Sequence, residues 1–313
     1  MAVGFVGLGI MGASMASNLQ KTVDTLVVHD LERQAASQHL AAGAEWAASP
    51  RELAAKCDVV FMSLPGPAEM EAVVLGPDGL AEGLRKGAVI FDLSTNAPTV
   101  VRAVHARLAE RGIHLLDAPV SGGATGAKSG RLSIWVGGEE ALFNKHRPML
   151  DAIGDAVEYI GPIGAGSIAK LAHNSAHFAI QFALAEVMTL GVKAGVEPLA
   201  LWKAVRRGSV GRSRTFDRLG QEFLANTYDP PGFALDLGHK DVSLATALGR
   251  ELGVPMRIAN LALEEMTEAL NRGWGKRDCR VPMLLQQERA GVKIEVDRAG
   301  IDQVLRDDPP YKG

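Results

Sequence analysis

The chain has 313 residues, enough for two domains at the usual domain size. With 47% hydrophobic and 22% charged residues it has a globular composition, which excludes a disordered chain. A net charge of −3 leaves no basic footprint for nucleic acid or an anionic membrane surface, so neither is expected as a partner. Two cysteines, Cys57 and Cys279, are too few for a disulfide framework. No stretch approaches the roughly 18 apolar residues of a membrane span. Met1 leads directly into the apolar run Val3–Val6, with no basic region or cleavage site. A cytoplasmic protein is the expectation. Glycine is the one skew, at 35 residues, and points to tight turns.

In chain order, the first half alternates short apolar runs with amphipathic segments. The runs are Val3–Val6, Thr25–Val28, Val59–Met62, Ala88–Phe91, His114–Leu116 and Ser133–Val136. Runs without polar alternation read as strands buried on both faces, as in a parallel sheet. Segments such as Leu31–Ala42 and Thr99–Arg111 read as the connecting helices, which predicts an open doubly wound sheet. The pattern changes near Ile163. A long helix is predicted over Ile168–Ala194, followed by helices at Pro198–Arg207, Thr215–Leu224, Gly238–Leu252, Ile258–Asn271 and Pro282–Ala290. The expected organisation is an α/β domain over residues 1–162 and an all-α domain over 163–313, joined by the long helix. The charged tail after Val296 is expected to be loosely held.

Gly7-Leu8-Gly9-Ile10-Met11-Gly12 follows the first strand and opens a helix, the context that a dinucleotide-binding loop needs. Gly7 allows the tight turn, Gly9 lets a pyrophosphate approach the backbone, and Gly12 lets helix and strand pack closely. Asp30 ends the second strand, where a carboxylate binds a ribose 2′-hydroxyl and repels a 2′-phosphate. NAD is therefore expected over NADP. Ligands in such sheets lie beyond the carboxyl ends of the strands. Ser63-Leu64-Pro65-Gly66-Pro67 and Asp92-Leu93-Ser94-Thr95-Asn96 occupy such ends, and both suit either cofactor contact or ordinary turn chemistry. Asp117-Ala118-Pro119-Val120-Ser121-Gly122-Gly123 follows the fifth strand. Ser121 offers a hydroxyl there, and Gly122 and Gly123 offer unshielded N–H groups for a carboxylate. Lys170 and Asn174 lie one turn apart on an otherwise apolar helix start behind Gly164-Ala165-Gly166. Desolvation there lowers an ammonium pKa and makes the amine a competent acid–base group. His173 and His177 have a metal-pair spacing, but no third ligand accompanies them and no metal is expected.

Taken together and in order, the glycine loop, the Asp92–Thr95 loop, Asp117–Gly123, Gly164–Asn174 and His239-Lys240-Asp241 resemble the β-hydroxyacid dehydrogenases. The resemblance covers residues 3 to 290. It implies a Rossmann domain, a helical domain that carries substrate and oligomer contacts, and a homodimer or homotetramer. It implies hydride transfer between NAD and the hydroxyl carbon of a small β-hydroxyacid, with Lys170 as general acid–base and Asn174 positioning the substrate. Ser121, Gly122 and Gly123 would bind substrate, while Thr95 and Lys240 would lie beside the cofactor; by their positions His173 is expected to join the first group and Leu64 and Pro65 the second. His173 stands where many relatives of the hydroxyisobutyrate type carry asparagine. His177 stands where the phosphogluconate branch carries an acid, which argues against decarboxylation. Arg212 and Arg214 form a basic pair suited to a second substrate anion, or else to a solvated loop. An imine reductase on the same architecture and a non-catalytic NAD-binding regulator are the alternative readings. Lys170 counts against both.

Overall fold

A computed structural model describes residues 2–197, 201–202, 204–205, 207–212, 219–291 and 293–307. Packing divides the chain into two compact units, Met1–Ala176 and His177–Gly313. The first unit is a nine-stranded sheet with helices on both faces. Its strands are β1 (Ala2–Val6), β2 (Thr25–His29), β3 (Glu45–Trp46), β4 (Val59–Met62), β5 (Val89–Asp92), β6 (His114–Asp117), β7 (Val120–Ser121), β8 (Leu132–Gly137) and β9 (Gly154–Gly161). They run in the order β3-β2-β1-β4-β5-β6-β8-β7, with β9 also paired to β8.

β1 to β6 are parallel, as the unbroken apolar runs require. Phe5, Phe61 and Phe91, on neighbouring strands, stack in one row beneath the first helix layer. Each sheet face is sealed by its own buried cluster, one around Met15 and Leu19, the other around Leu53, Met70 and Leu108. Beyond β6 the sheet departs from the expected parallel order. β8 runs antiparallel, and β6 and β7 lie along it in one continuous register, from Asp117 opposite Gly137 to Ser121 opposite Ser133. Pro119 separates the two short strands, since it has no N–H to give a ladder. β9 is parallel to β8 and ends at Gly161 opposite Gly137, which returns the chain to the level of Asp117.

The helices of this unit include α1 (Ile10–Gln20), α2 (Ser37–Ala41), α3 (Pro50–Lys56), α4 (Pro67–Leu75), α5 (Leu80–Gly83), α6 (Pro98–Ala109), α7 (Gly123–Ser129) and α8 (Glu140–Asp151). The helix expected over Leu31–Ala42 is a 3-10 turn at Arg33–Ala36 followed by the five-residue α2, ended by Gly43 at φ +93°. α9 (Ala165–Lys193) starts three residues before the expected Ile168 and carries the chain into the second unit.

The second unit holds α10 (Ser209–Arg212), a π-helical turn at Gly220–Leu224, α11 (Leu235–Leu252), α12 (Arg257–Asn271), α13 (Met283–Ala290) and α14 (Arg298–Asp307). Tyr228, Leu235, Ala269, Val281 and Leu285 form its buried centre. The predicted segments Pro198–Arg207 and Thr215–Leu224 fall partly outside the described residues. The tail is not uniformly loose: α14 buries Ile301. Among the described residues no helix is long and apolar enough to cross a membrane.

β5 and β6 each end in a fully buried carboxylate, Asp92 and Asp117, paired in register. Asp92 Oδ1 accepts the Ser94 N–H at 3.0 Å, and Oδ2 accepts the Asn96 side-chain amide at 2.6 Å. Burial pushes the Asp92 carboxyl up to about 6; its hydrogen bonds oppose the rise and Asp117 adds to it. Against ~3.9 in an unfolded chain, the native protein holds this proton to higher pH. The stability contributed by protonated Asp92 is therefore full below about pH 4 and is lost as the pH rises through about 6. Asp92→Asn is neutral at every pH. Asn96 can flip to receive the new amide, because its Oδ1 has no partner in the structure. This variant should exceed the wild type at pH 8 by on the order of 1–3 kcal/mol, with the gain fading toward pH 4. Denaturant midpoints across that range check the prediction, and a gain independent of pH would contradict it.

Candidate functional site

The glycine loop is built by backbone contact. Gly7 sits at φ +89°, and a Cβ there would lie 2.2 Å from the Ser63 carbonyl oxygen. A Cβ on Gly12 would lie 1.9 Å from the Gly7 oxygen, so α1 presses directly on the turn. Gly9 caps α1 with no side chain, and a Cβ there would meet nothing within 4 Å. Ala13 makes the first helical bond, to Gly9. The N–H groups of Ile10, Met11 and Gly12 therefore point ahead of the helix, and no acid occupies its first turn. Open space over Gly9 at a helix N-terminus fits a pyrophosphate. Leu8 is buried, and its N–H donates to Asp30 Oδ2 at 2.6 Å; the Glu32 N–H donates to Oδ1 at 3.0 Å. Asp30 is thus fixed beside the loop, as a ribose contact requires. Ile10 is 83% exposed and Leu31 is 95% exposed, so two large apolar side chains flank this cradle.

The next two loops are tied together. The Leu64 N–H donates to Ser94 Oγ at 2.8 Å, and Ser94 is itself held by Asp92. Leu64 is half-buried, while Pro65 and Thr95 are exposed at the carboxyl edge of the sheet. The sequence places these residues at that edge but does not reveal that Ser94 and Asp92 join the loops. An acid closing an otherwise apolar strand is the one signal that marks Asp92 and Asp117.

Ser121 ends β7, and Gly122 and Gly123 follow at φ +133° and +61°, both exposed. Such values favour glycine. Ser121 Oγ lies 3.3 Å from His173 Nε2, and the His173 ring tilts against Trp135 of β8, with centroids 5.2 Å apart. The sheet and α9 are therefore in direct contact at Ser121. Lys170 is one turn before His173 and Asn174, and both Lys170 and Asn174 are half-buried. Burial holds the Lys170 ammonium below the ordinary amine range, as a proton-exchanging group requires. Ser121, Lys170, His173 and Asn174 all belong to the first unit.

Arg212 is exposed and, with Lys240, belongs to the second unit. The side chains of Lys240 and His177 lie outside the described residues, as does Arg214. Among the described residues no cluster of three or more metal-ligating side chains occurs.

Residues 2–161 match the NAD binding domain of 6-phosphogluconate dehydrogenase, and residues 164–284 match the NAD-binding region of NADP-dependent 3-hydroxyisobutyrate dehydrogenase. The chain is 35% identical to 2-(hydroxymethyl)glutarate dehydrogenase of Eubacterium barkeri, over 93% of this chain and 97% of that one. It is 36% identical to NAD-dependent L-serine dehydrogenase of Pseudomonas aeruginosa, over 89% and 95%. An imine reductase structure from Streptomyces aurantiacus superposes with a TM-score of 0.77 over 91% of this chain and 99% of that one; at 20% identity this is a likeness of fold alone. With its NAD-binding domain and its helical second unit, the chain belongs to the β-hydroxyacid dehydrogenase family.

Proposed function

We propose that the protein oxidises a small β-hydroxyacid, reversibly, with NAD as the preferred cofactor and Lys170 as general acid–base. The observation that carries this reading is the contact between Ser121 and His173, which brings the Ser121–Gly123 segment onto the helix face that bears Lys170 and Asn174. Gly7, Gly9, Gly12 and Asp30 hold the dinucleotide, and Leu64, Pro65 and Thr95 line its nicotinamide half. Bound there, the nicotinamide supplies the hydride acceptor.

The chain's own residues handle orientation and the proton. Ser121 Oγ and the N–H groups of Gly122 and Gly123 hold the substrate carboxylate. A serine hydroxyl has one hydrogen. If His173 Nε2 carries a proton and donates it to Ser121 Oγ, the Ser121 O–H stays free to donate to the carboxylate. Asn174 holds the substrate hydroxyl within reach of Lys170 Nζ. As a free amine, Nζ takes the proton from that hydroxyl while the carbon becomes a carbonyl; in reduction the ammonium returns it. Partial burial makes the free amine accessible nearer neutrality. Lys240 and Arg212 are assigned to this site on the family resemblance, Lys240 to the cofactor and Arg212 to a second substrate anion.

Lys170→Ala should lower kcat by about 10²–10⁴-fold and leave the NAD Kd unchanged; kcat within tenfold of the wild type would remove the lysine from the chemistry. Gly9→Ala should leave the melting temperature unchanged, since its Cβ enters open space, and weaken NAD at least tenfold. Calorimetric titration beside thermal denaturation separates the two effects. The Asp30 carboxylate should favour NAD over NADP in kcat/KM by on the order of 100-fold; equal values would refute that preference. A panel of short β-hydroxyacids identifies the substrate. Turnover of cyclic imines and of no hydroxyacid would replace the reading.

A further inference from the structure

We propose that Asp117 is a positioning residue for this reaction, a carboxylate clamp that seats the start of α9 and thereby delivers Lys170 and Asn174 to Ser121. The proposal rests on the role given to Lys170 above.

A helix start needs acceptors for its leading N–H groups, and a Ser, Thr, Asp or Asn at the cap position normally provides one. Gly164 holds that position: its carbonyl accepts the Ile168 N–H at 3.0 Å. It sits at φ +90°, and a Cβ there would lie 2.9 Å from the Arg102 guanidinium. That positive φ favours glycine, which has no side chain to cap the helix. Asp117 supplies the missing acceptors from 47 residues upstream. Its Oδ1 accepts the Gly164 N–H at 2.7 Å, and its Oδ2 accepts the Ser167 N–H at 2.6 Å. Ser167 is the third helical residue, the position whose N–H a local cap would bind.

The seat around this carboxylate leaves no slack. Asp117 is fully buried. A Cβ on Gly137, its partner across the ladder, would lie 2.5 Å from Asp117 Oδ1. A Cβ on Gly166 would lie 2.2 Å from the Trp135 carbonyl oxygen. The ends of β6 and β8 and the first turn of α9 are thus locked at backbone distance. Residues 167, 170, 171 and 174 fall on one stripe of the helix. Holding Ser167 fixes the angle and height of that stripe. Ser121 is four residues beyond Asp117 on the same ladder to β8. One carboxylate therefore joins the β8 ladder that carries the substrate-binding serine to the helix that carries the amine. Only a carboxylate serves, because both of its oxygens accept. An amide keeps one acceptor and turns an NH₂ toward the other N–H.

The test is Asp117→Asn. Measured on the full chain are kcat and KM for the best hydroxyacid, the NADH Kd by fluorescence, and backbone hydrogen exchange by mass spectrometry. The clamp predicts that kcat falls about 100-fold, the size of effect that an ångström-scale misplacement has. The NADH Kd should stay within about twofold, since Asp117 is no part of the glycine-loop cradle. Exchange should rise at least about tenfold over residues 164–170 and not over β1 to β5. A kcat within twofold of the wild type overturns the proposal. So does a loss of kcat matched by an equal loss of NADH affinity, because that marks general unfolding. Should the variant not fold, Asp117→Glu takes its place, with both acceptors displaced by one methylene. Lowered kcat with a normal NADH Kd then supports the clamp, and unchanged kcat refutes it. If Lys170→Ala stays active, the assigned chemistry fails, while hydrogen exchange in Asp117→Asn still reports whether the clamp exists.

Discussion

Two carboxylates that never reach solvent sit side by side at the carboxyl ends of β5 and β6, and the surrounding loops are arranged to satisfy them. Burying an acid is expensive unless every oxygen finds a donor. Asp92 draws in Ser94 and Asn96, and through Ser94 it draws in Leu64, so two cofactor-side loops close around it. Asp117 draws in the backbone of Gly164 and Ser167. The carboxyl edge of the sheet is thus organised from beneath. The residues expected to touch ligand stand on buried supports.

The two acids solve different problems. Asp92 is bonded to a neutral amide and one backbone N–H, keeps Asp117 as a close neighbour, and titrates near 6. Asp117 meets two N–H groups at the leading end of a helix, where partial positive charge favours an anion.

Much of this was legible in the residues, because local geometry writes itself into glycine positions and apolar runs. Gly7 and Gly12 are dictated by backbone collisions within a few residues. The runs from Val3 to Leu116 became parallel strands because both of their faces are covered. What the residues did not disclose depends on partners far away in sequence. The antiparallel course of β8 shows only in its pairing, with Asp117 opposite Gly137 and Ser121 opposite Ser133. The helix expected at Leu31–Ala42 keeps its end before Gly43 but begins as a 3-10 turn at Arg33–Ala36. The meaning of Asp117 depends on atoms 47 and 50 residues downstream. Lys170 was singled out by chemistry, as a charge on an apolar helix start, and the structure adds that His173, one turn further along the same helix, meets Ser121.

Ile10 and Leu31 stand out of the glycine-loop rim with most of their surface in water. If a dinucleotide bound at that rim covers them, part of its affinity comes from covering hydrocarbon, a contribution that ionic strength does not screen. Raising the salt weakens the grip on the pyrophosphate and leaves this share intact, and association acquires the negative heat-capacity change of apolar contact. A nucleotide fragment that reaches the phosphate-binding turn but neither of these two side chains lacks that salt-resistant anchorage.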